Sequence, residues 1–155
     1  KHGYHAKVIN SGRYVNDSMG FYVGKQTVKK ILSEGKNIQD SRVLVMGATF
    51  KENVSDIRNT KVINVIRELE SFSVNVDVID PWASSEDFMD ECGIGIKAEA
   101  DENAYDAIIL AVNHEEYKHW QAADFKKYFN DDKGVFVDLK GIYRNMKDDF
   151  NYWSL

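Results

Sequence analysis

The chain has 155 residues, 43% hydrophobic and 29% charged, enough for one ordinary globular domain with a real core. A net charge of −5 excludes a general nucleic-acid surface, so any anion site must rest on a few cations placed locally. One cysteine, Cys92, excludes an internal disulfide and fits a reducing cytoplasm, and there is neither an apolar run of membrane-span length nor a visible signal peptide.

The chain opens on Lys1 without methionine, in a polar, helix-like context, and reads as a fragment whose missing part lies upstream. Residues 1–12 are polar and indistinct. From Gly12 to Ser33 the spacing predicts a long helix, with Val15, Met19, Tyr22, Val23, Val28, Ile31 and Leu32 apolar and Phe21 on a second face. Two apolar faces fit a helix held between its own domain and a partner subunit, or one buried within its own domain. RVLVMG at 42–47 is a buried strand. Val62, Val65, Ile66 and Leu69 recur on one face of a helix. Val74, Val76 and Val78 alternate with Asn75 and Asp77 as a strand, which Asp80-Pro81 stops. A short helix is expected at 84–92, a strand at 107–112 and a helix from Ala122 to Phe129. DDKG at 131–134 is a turn, and 135–139 is the last strand. The tail, 142–155, carries aromatics without a period. The alternation predicts an α/β fold: Rossmann-like, a mainly parallel sheet with flanking helices and right-handed crossovers, preceded by a long helix.

In open α/β sheets ligands bind beyond the carboxyl ends of the strands. Gly47, Phe50, Lys51 and Arg58 follow the first strand, Asp80 the second, Asn113 and His114 the third, Asp138 and Lys140 the fourth. Such a rim, with the amino end of the helix at 60–70, suits a phosphate-bearing ligand. Each residue also has a plainer reading. Lys51 alone is a solvated lysine, Arg58 with Asp56 a surface ion pair, and Asn59 a helix N-cap. Asp138 reads as structural, His114 as a surface histidine and Cys92 as inert.

The loop G-A-T-F-K-E-N is not the three-glycine fingerprint of a dinucleotide site. Asp80 lies 33 residues past Gly47, beyond the usual spacing of about 20. The loop therefore offers side chains where a dinucleotide loop offers bare backbone. Zinc-ligand spacing, a P-loop and a nucleophile elbow are missing from the sequence. Gly47-Ala48-Thr49 stands where a receiver-type signalling domain needs acids.

GATFKENVSDIRNTKVINVIREL resembles the G-x-x-F-K-x-x-x-x-D-x-R-x-[ST] segment of the UDP-glucose/GDP-mannose dehydrogenase family, where it opens the carboxyl-terminal UDP-binding domain. VINSGRYVNDSMGFYV is similar to that family's long central helix. VDVIDPW, YDAIILAVNHEEYK and VFVDLKGIYRN resemble its later strands and closing motif. FKENVSDIRNTKV, DPW and DLKG look most like the branch acting on UDP-N-acetylhexosamines; UDP-glucose and GDP-mannose enzymes share most of the motif.

The resemblance implies residues 1–35 as a central linking and dimerisation helix and 36–155 as the sugar-nucleotide-binding domain, with the NAD-binding domain absent from this chain. It implies Lys51, Phe50 and Lys140 as substrate-binding and Arg58 as reaching NAD held by the other domain. Lys140 stands where the UDP-glucose branch usually has arginine, giving a point charge in place of a fork. Asp56 is read as orienting Arg58. The implied reaction is a four-electron oxidation of a UDP-sugar C6 alcohol to the uronic acid with two NAD, through a cysteine nucleophile. The products serve surface polysaccharide synthesis. Cys92 does not match that cysteine, so the chain alone is expected to be inactive. A homodimer through residues 13–33, a cytoplasmic location and no nucleic-acid or membrane partner complete the reading. The competing class is a non-catalytic nucleotide-binding module on the same fold.

Overall fold

A computed structural model describes the backbone of residues 2–58 and 60–155 and the side chains of residues 18–58 and 60–155. Val15 and the expected N-cap Asn59 lie outside the described side chains. Five strands form one sheet: β1 (Arg42–Met46), β2 (Asn75–Ile79), β3 (Ala107–Leu110), β4 (Val135–Asp138) and β5 (Asn151–Ser154). Their order is β2-β1-β3-β4-β5, and every pairing is parallel. The helices are α1 (His2–Ser33), α2 (Val62–Ser71), α3 (Ser85–Cys92) and α4 (Ala122–Lys126).

The central strands read as unbroken apolar runs because both faces of the sheet are covered. Val43, Val45, Ala107, Ile109, Val135 and Val137 point to an aliphatic layer with α1, α2 and α3. Leu44, Met46, Ile108, Leu110 and Phe136 point the other way. That second layer is aromatic: Phe125, Phe129, Tyr105, Tyr117 and Tyr143 fill it, with Phe125 and Phe136 centroids 4.7 Å apart.

The helix at 62–71 buries Val62, Val65, Ile66 and Leu69, the stripe its period predicts. Ser84 caps α3 through the Asp87 N–H, and Gly93 closes it in the left-handed region. α1 sits on α2 at close range. A Cβ on Gly20 would stand 2.6 Å from Asn64 Cβ, and one on Gly24 2.7 Å from Glu68 Cβ.

Three expectations need correction, on where the long helix starts, where α4 ends and what the tail forms. The helix extends back to His2, across residues that the apolar period did not mark. On its described part Val23, Val28 and Ile31 are buried, but Phe21, Tyr22 and Leu32 are exposed. α4 stops at Lys126 because the N–H groups of Tyr128 and Phe129 bond three residues back, to the carbonyls of Phe125 and Lys126, so the expected last turn tightens out of the α-helix. The tail holds an edge strand, β5. Tyr152 turns to the aromatic layer and Trp153 to the aliphatic one, so half-burial on both faces leaves no alternation to read.

Candidate functional site

β1 has β2 on one side and β3 on the other, which makes the gap between β1 and β3 the switch point of the sheet. A cavity of about 250 Å³ opens beyond the carboxyl ends of β1, β3 and β4. Val23, Val65 and Val112 form part of its apolar wall. Lys51, Lys61, Lys140 and Glu52 line it as well, with Phe50 at the mouth, 54% exposed. Among the described residues the side chains of Lys51, Lys140 and Glu52 have no hydrogen-bonding or ionic partner. Thr60, Lys61 and Val62 bring the amino end of α2 to the same wall, and its first turn has no acid to neutralise the positive helix end. Three ammonium groups and a helix amino terminus around an apolar pocket make a site for an anion that carries an apolar or aromatic body.

The loop that delivers Lys51 is built by buried polar groups. Gly47 has φ +100°, and a Cβ there would lie 2.7 Å from the Val112 nitrogen, so only glycine lets β1 turn out beside β3. Asp80 receives four donors. Its Oδ2 accepts the Ala48 N–H (2.6 Å) and His114 Nε2–H (2.9 Å); its Oδ1 accepts the N–H groups of Trp82 (2.7 Å) and Ala83 (2.9 Å). Burial works against ionisation of this carboxyl, but His114 and the three backbone donors hold it below the usual aspartate range. His114 Nδ1 accepts the Asn53 N–H at 2.9 Å. A nitrogen that accepts cannot carry the proton, so the imidazole is neutral with its proton on Nε2. Thr49 Oγ1 lies 3.2 Å from Nε2 and donates to the Lys51 carbonyl at 2.8 Å. This Thr-His-Asp group is no nucleophilic triad, because the nitrogen facing Thr49 already holds its proton and gives it to Asp80.

Lys51, Phe50 and Lys140, which the sequence names together, meet at one cavity. Arg58 does not join them. Its side chain is 80% exposed and is held by Asp56, Nε to Oδ1 at 3.0 Å and Nη2 to Oδ2 at 3.2 Å. Asp56 therefore fixes the guanidinium, as the two-residue spacing implied. Asp138 is structural: it accepts the N–H groups of Gly141 and Tyr143 and the Tyr152 hydroxyl. Cys92 is buried, and burial pushes its thiol up, away from nucleophilic use.

His114 is not a surface histidine; it is fully buried. A lone histidine in a polar run has no sequence signal for burial, since its partners Asp80 and Asn53 are brought in by the fold. Asp80 is likewise saturated by internal donors and has no lone pair left for a ribose hydroxyl. With side chains from Ala48 onward in the turn, the loop after β1 does not fit a dinucleotide pyrophosphate. The sequence reading also passed over Lys61. Its position just ahead of the α2 stripe was the available signal.

Residues 44–145 match the sequence model of the UDP-glucose/GDP-mannose dehydrogenase family, UDP binding domain. The chain belongs to this family. It is 46% identical over 147 residues to a UDP-N-acetyl-D-glucosamine 6-dehydrogenase of Pseudomonas aeruginosa, an alignment covering 95% of this chain and 35% of that protein. It is 44% identical over 140 residues to the protein of that name from Salmonella typhi, covering 90% of the chain and 33% of the relative. The chain thus spans about a third of the length of the curated relatives it matches. The crystal structure of an NDP-N-acetyl-D-galactosaminuronic acid dehydrogenase from Methanosarcina mazei Go1 superposes with TM-score 0.78 at 25% identity, over 92% of this chain and 30% of that one. Among the described residues no helix is long and apolar enough to cross a membrane.

Proposed function

We propose that this UDP-binding domain serves an NAD-dependent UDP-sugar 6-dehydrogenase, with a UDP-N-acetylhexosamine as substrate and a uronic acid for surface polysaccharide as product. The single observation that carries the reading is the convergence of Lys51 and Lys140, both without partners among the described residues, on one cavity at the sheet's switch point. In this reading the two ammonium groups neutralise the diphosphate, with the amino end of α2 adding to the field. Phe50 offers an exposed ring to the nucleotide body. The acetylated sugar is favoured by the relatives named for UDP-N-acetyl-D-glucosamine at 46% and 44% identity.

NAD, when bound, accepts hydride from the sugar C6 carbon. The residues of this chain contribute position and charge. Arg58, oriented by Asp56 and facing outward, meets the cofactor across a cleft; Lys51 and Lys140 hold the diphosphate so that C6 is presented there. The nucleophilic thiol comes from outside the chain, since Cys92 is buried with a raised pKa. Residues 1–35 act as the linking and dimerisation helix and 36–155 as the sugar-nucleotide domain of a cytoplasmic homodimer. Phe21, Tyr22 and Leu32, exposed on α1, support that seat.

The test uses the full-length protein that carries this chain. NADH formation is followed with UDP-N-acetylglucosamine, -galactosamine and -mannosamine, UDP-glucose and GDP-mannose, with Lys51→Ala beside wild type. Activity on one acetylated sugar, lost in the variant, is expected. Folded protein that makes no NADH from any of them would overturn the dehydrogenase reading in favour of a non-catalytic nucleotide module. The chain alone is expected to form no NADH.

A further inference from the structure

The buried imidazole of His114 touches the loop after β1 on both sides of Lys51. Nε2 meets Thr49 Oγ1 at 3.2 Å, and Thr49 in turn holds the Lys51 carbonyl. Nδ1 takes the Asn53 N–H at 2.9 Å, and the Asn53 Oδ1 takes the Glu115 N–H at 2.7 Å. Asn53 sits at φ +59°, in the left-handed region that asparagine enters more readily than most residues. The ring is itself immobilised by Asp80 at 2.9 Å and by Trp82 and Tyr117, with centroids 6.1 and 6.2 Å away. Lys51 is exposed, and its side chain has no partner among the described residues. What fixes its position is the backbone, and one ring fixes the backbone from both ends.

We propose that His114 is a positioning residue: its neutral ring clamps residues 49 and 53 so that Lys51 is pre-set for the anion in the cavity. This rests on the nucleotide-binding reading above. Without the clamp, the ligand must order residues 50–53 at its own expense, which weakens binding without removing any group that touches the ligand. The two ring nitrogens have separable tasks. Asparagine places an acceptor near the Nδ1 position and keeps the Asn53 contact; glutamine reaches toward Nε2 and keeps the Asp80 contact; alanine keeps neither.

The experiment measures UDP affinity by calorimetry on this chain, wild type and His114→Asn, His114→Gln and His114→Ala, with thermal melts to confirm folding. Amide exchange at Asn53 is followed by NMR in the same samples. Wild type is expected to show a protected Asn53 amide and an Nε2–H imidazole in its nitrogen shifts. His114→Gln should bind UDP about tenfold more weakly, the equivalent of one lost hydrogen bond, and His114→Ala more weakly still, with Asn53 exchanging freely in both. His114→Asn should restore the Asn53 protection and recover only part of the affinity, since it gives up the Thr49 and Asp80 contacts. A fast-exchanging Asn53 in wild type overturns the clamp, as does a His114→Gln variant that is folded and binds like wild type. Failure of wild type to bind UDP while Asn53 stays protected overturns the nucleotide reading and leaves the clamp standing.

Discussion

Replacing Asp80 by asparagine changes one heavy atom and almost no volume, yet the geometry makes it costly. The carboxylate accepts two hydrogen bonds on each oxygen and is shut off from solvent. Whichever way the asparagine amide is turned, its NH2 faces two fixed donors. One orientation sets it against Trp82 and Ala83, the other against Ala48 and His114. Two hydrogen bonds to a charged acceptor, each worth about 1.5–3 kcal/mol, are lost. Relief of the buried charge returns part of that. A net loss of about 3 kcal/mol follows, which for a chain of this size lowers the melting temperature by about 6–12 °C. The pH dependence gives a second reading. The folded carboxyl lies below the ordinary aspartate value. Its contribution is therefore complete above the unfolded pKa of about 3.9 and is lost as pH falls through the folded value. Urea denaturation of both proteins at pH 7 and in steps down to the acid limb should show the gap narrowing with acid. A variant within about 0.5 kcal/mol of wild type at pH 7, the range of ordinary surface substitutions, would refute the four-donor account.

Gly47→Ala should cost about 2 kcal/mol or more, because φ +100° and the Val112 backbone at 2.7 Å both oppose a Cβ; an unchanged melting temperature counts against this. Lys51→Ala and Lys140→Ala should each weaken UDP binding about tenfold while leaving the melt in place, and the loss should shrink at high salt. Arg58→Ala, changing a side chain 80% exposed, should alter neither the melt nor UDP affinity of this chain. In the full-length protein it should raise the KM for NAD, and an unchanged KM removes Arg58 from the cofactor site. Gly20→Val should detach α1 from α2, where a Cβ already meets Asn64 Cβ at 2.6 Å, and would be seen as lost helix signal with lowered stability.

What was legible in the sequence, and what was not, follows from where the information lies. The α2 stripe was readable because its burial follows the helical period, and β1, β3 and β4 because strands covered on both faces are unbroken apolar runs. β5 was not, since an edge strand covered halfway on both faces has no period to show. Lys51 and Lys140 were readable as residues that follow strands in a parallel sheet, and topology alone carries such residues to one edge. Arg58 follows the same strand but stands apart with Asp56, so sequence order after a strand names the edge and not the pocket. The support beneath the cavity was hidden for a different reason. Asp80 and His114 come from loops after different strands, and each looks like ordinary loop polarity until the fold puts them 2.9 Å apart. A loop without glycines after Gly47 needs another means of holding its shape. The free backbone that a dinucleotide site keeps for its ligand is here spent on Asp80 and His114, which leaves the ligand to side chains. The polar composition of FKENVSDIRNTKV and the burial of His114 are thus two sides of one arrangement, and a change at His114 should be felt first at Lys51.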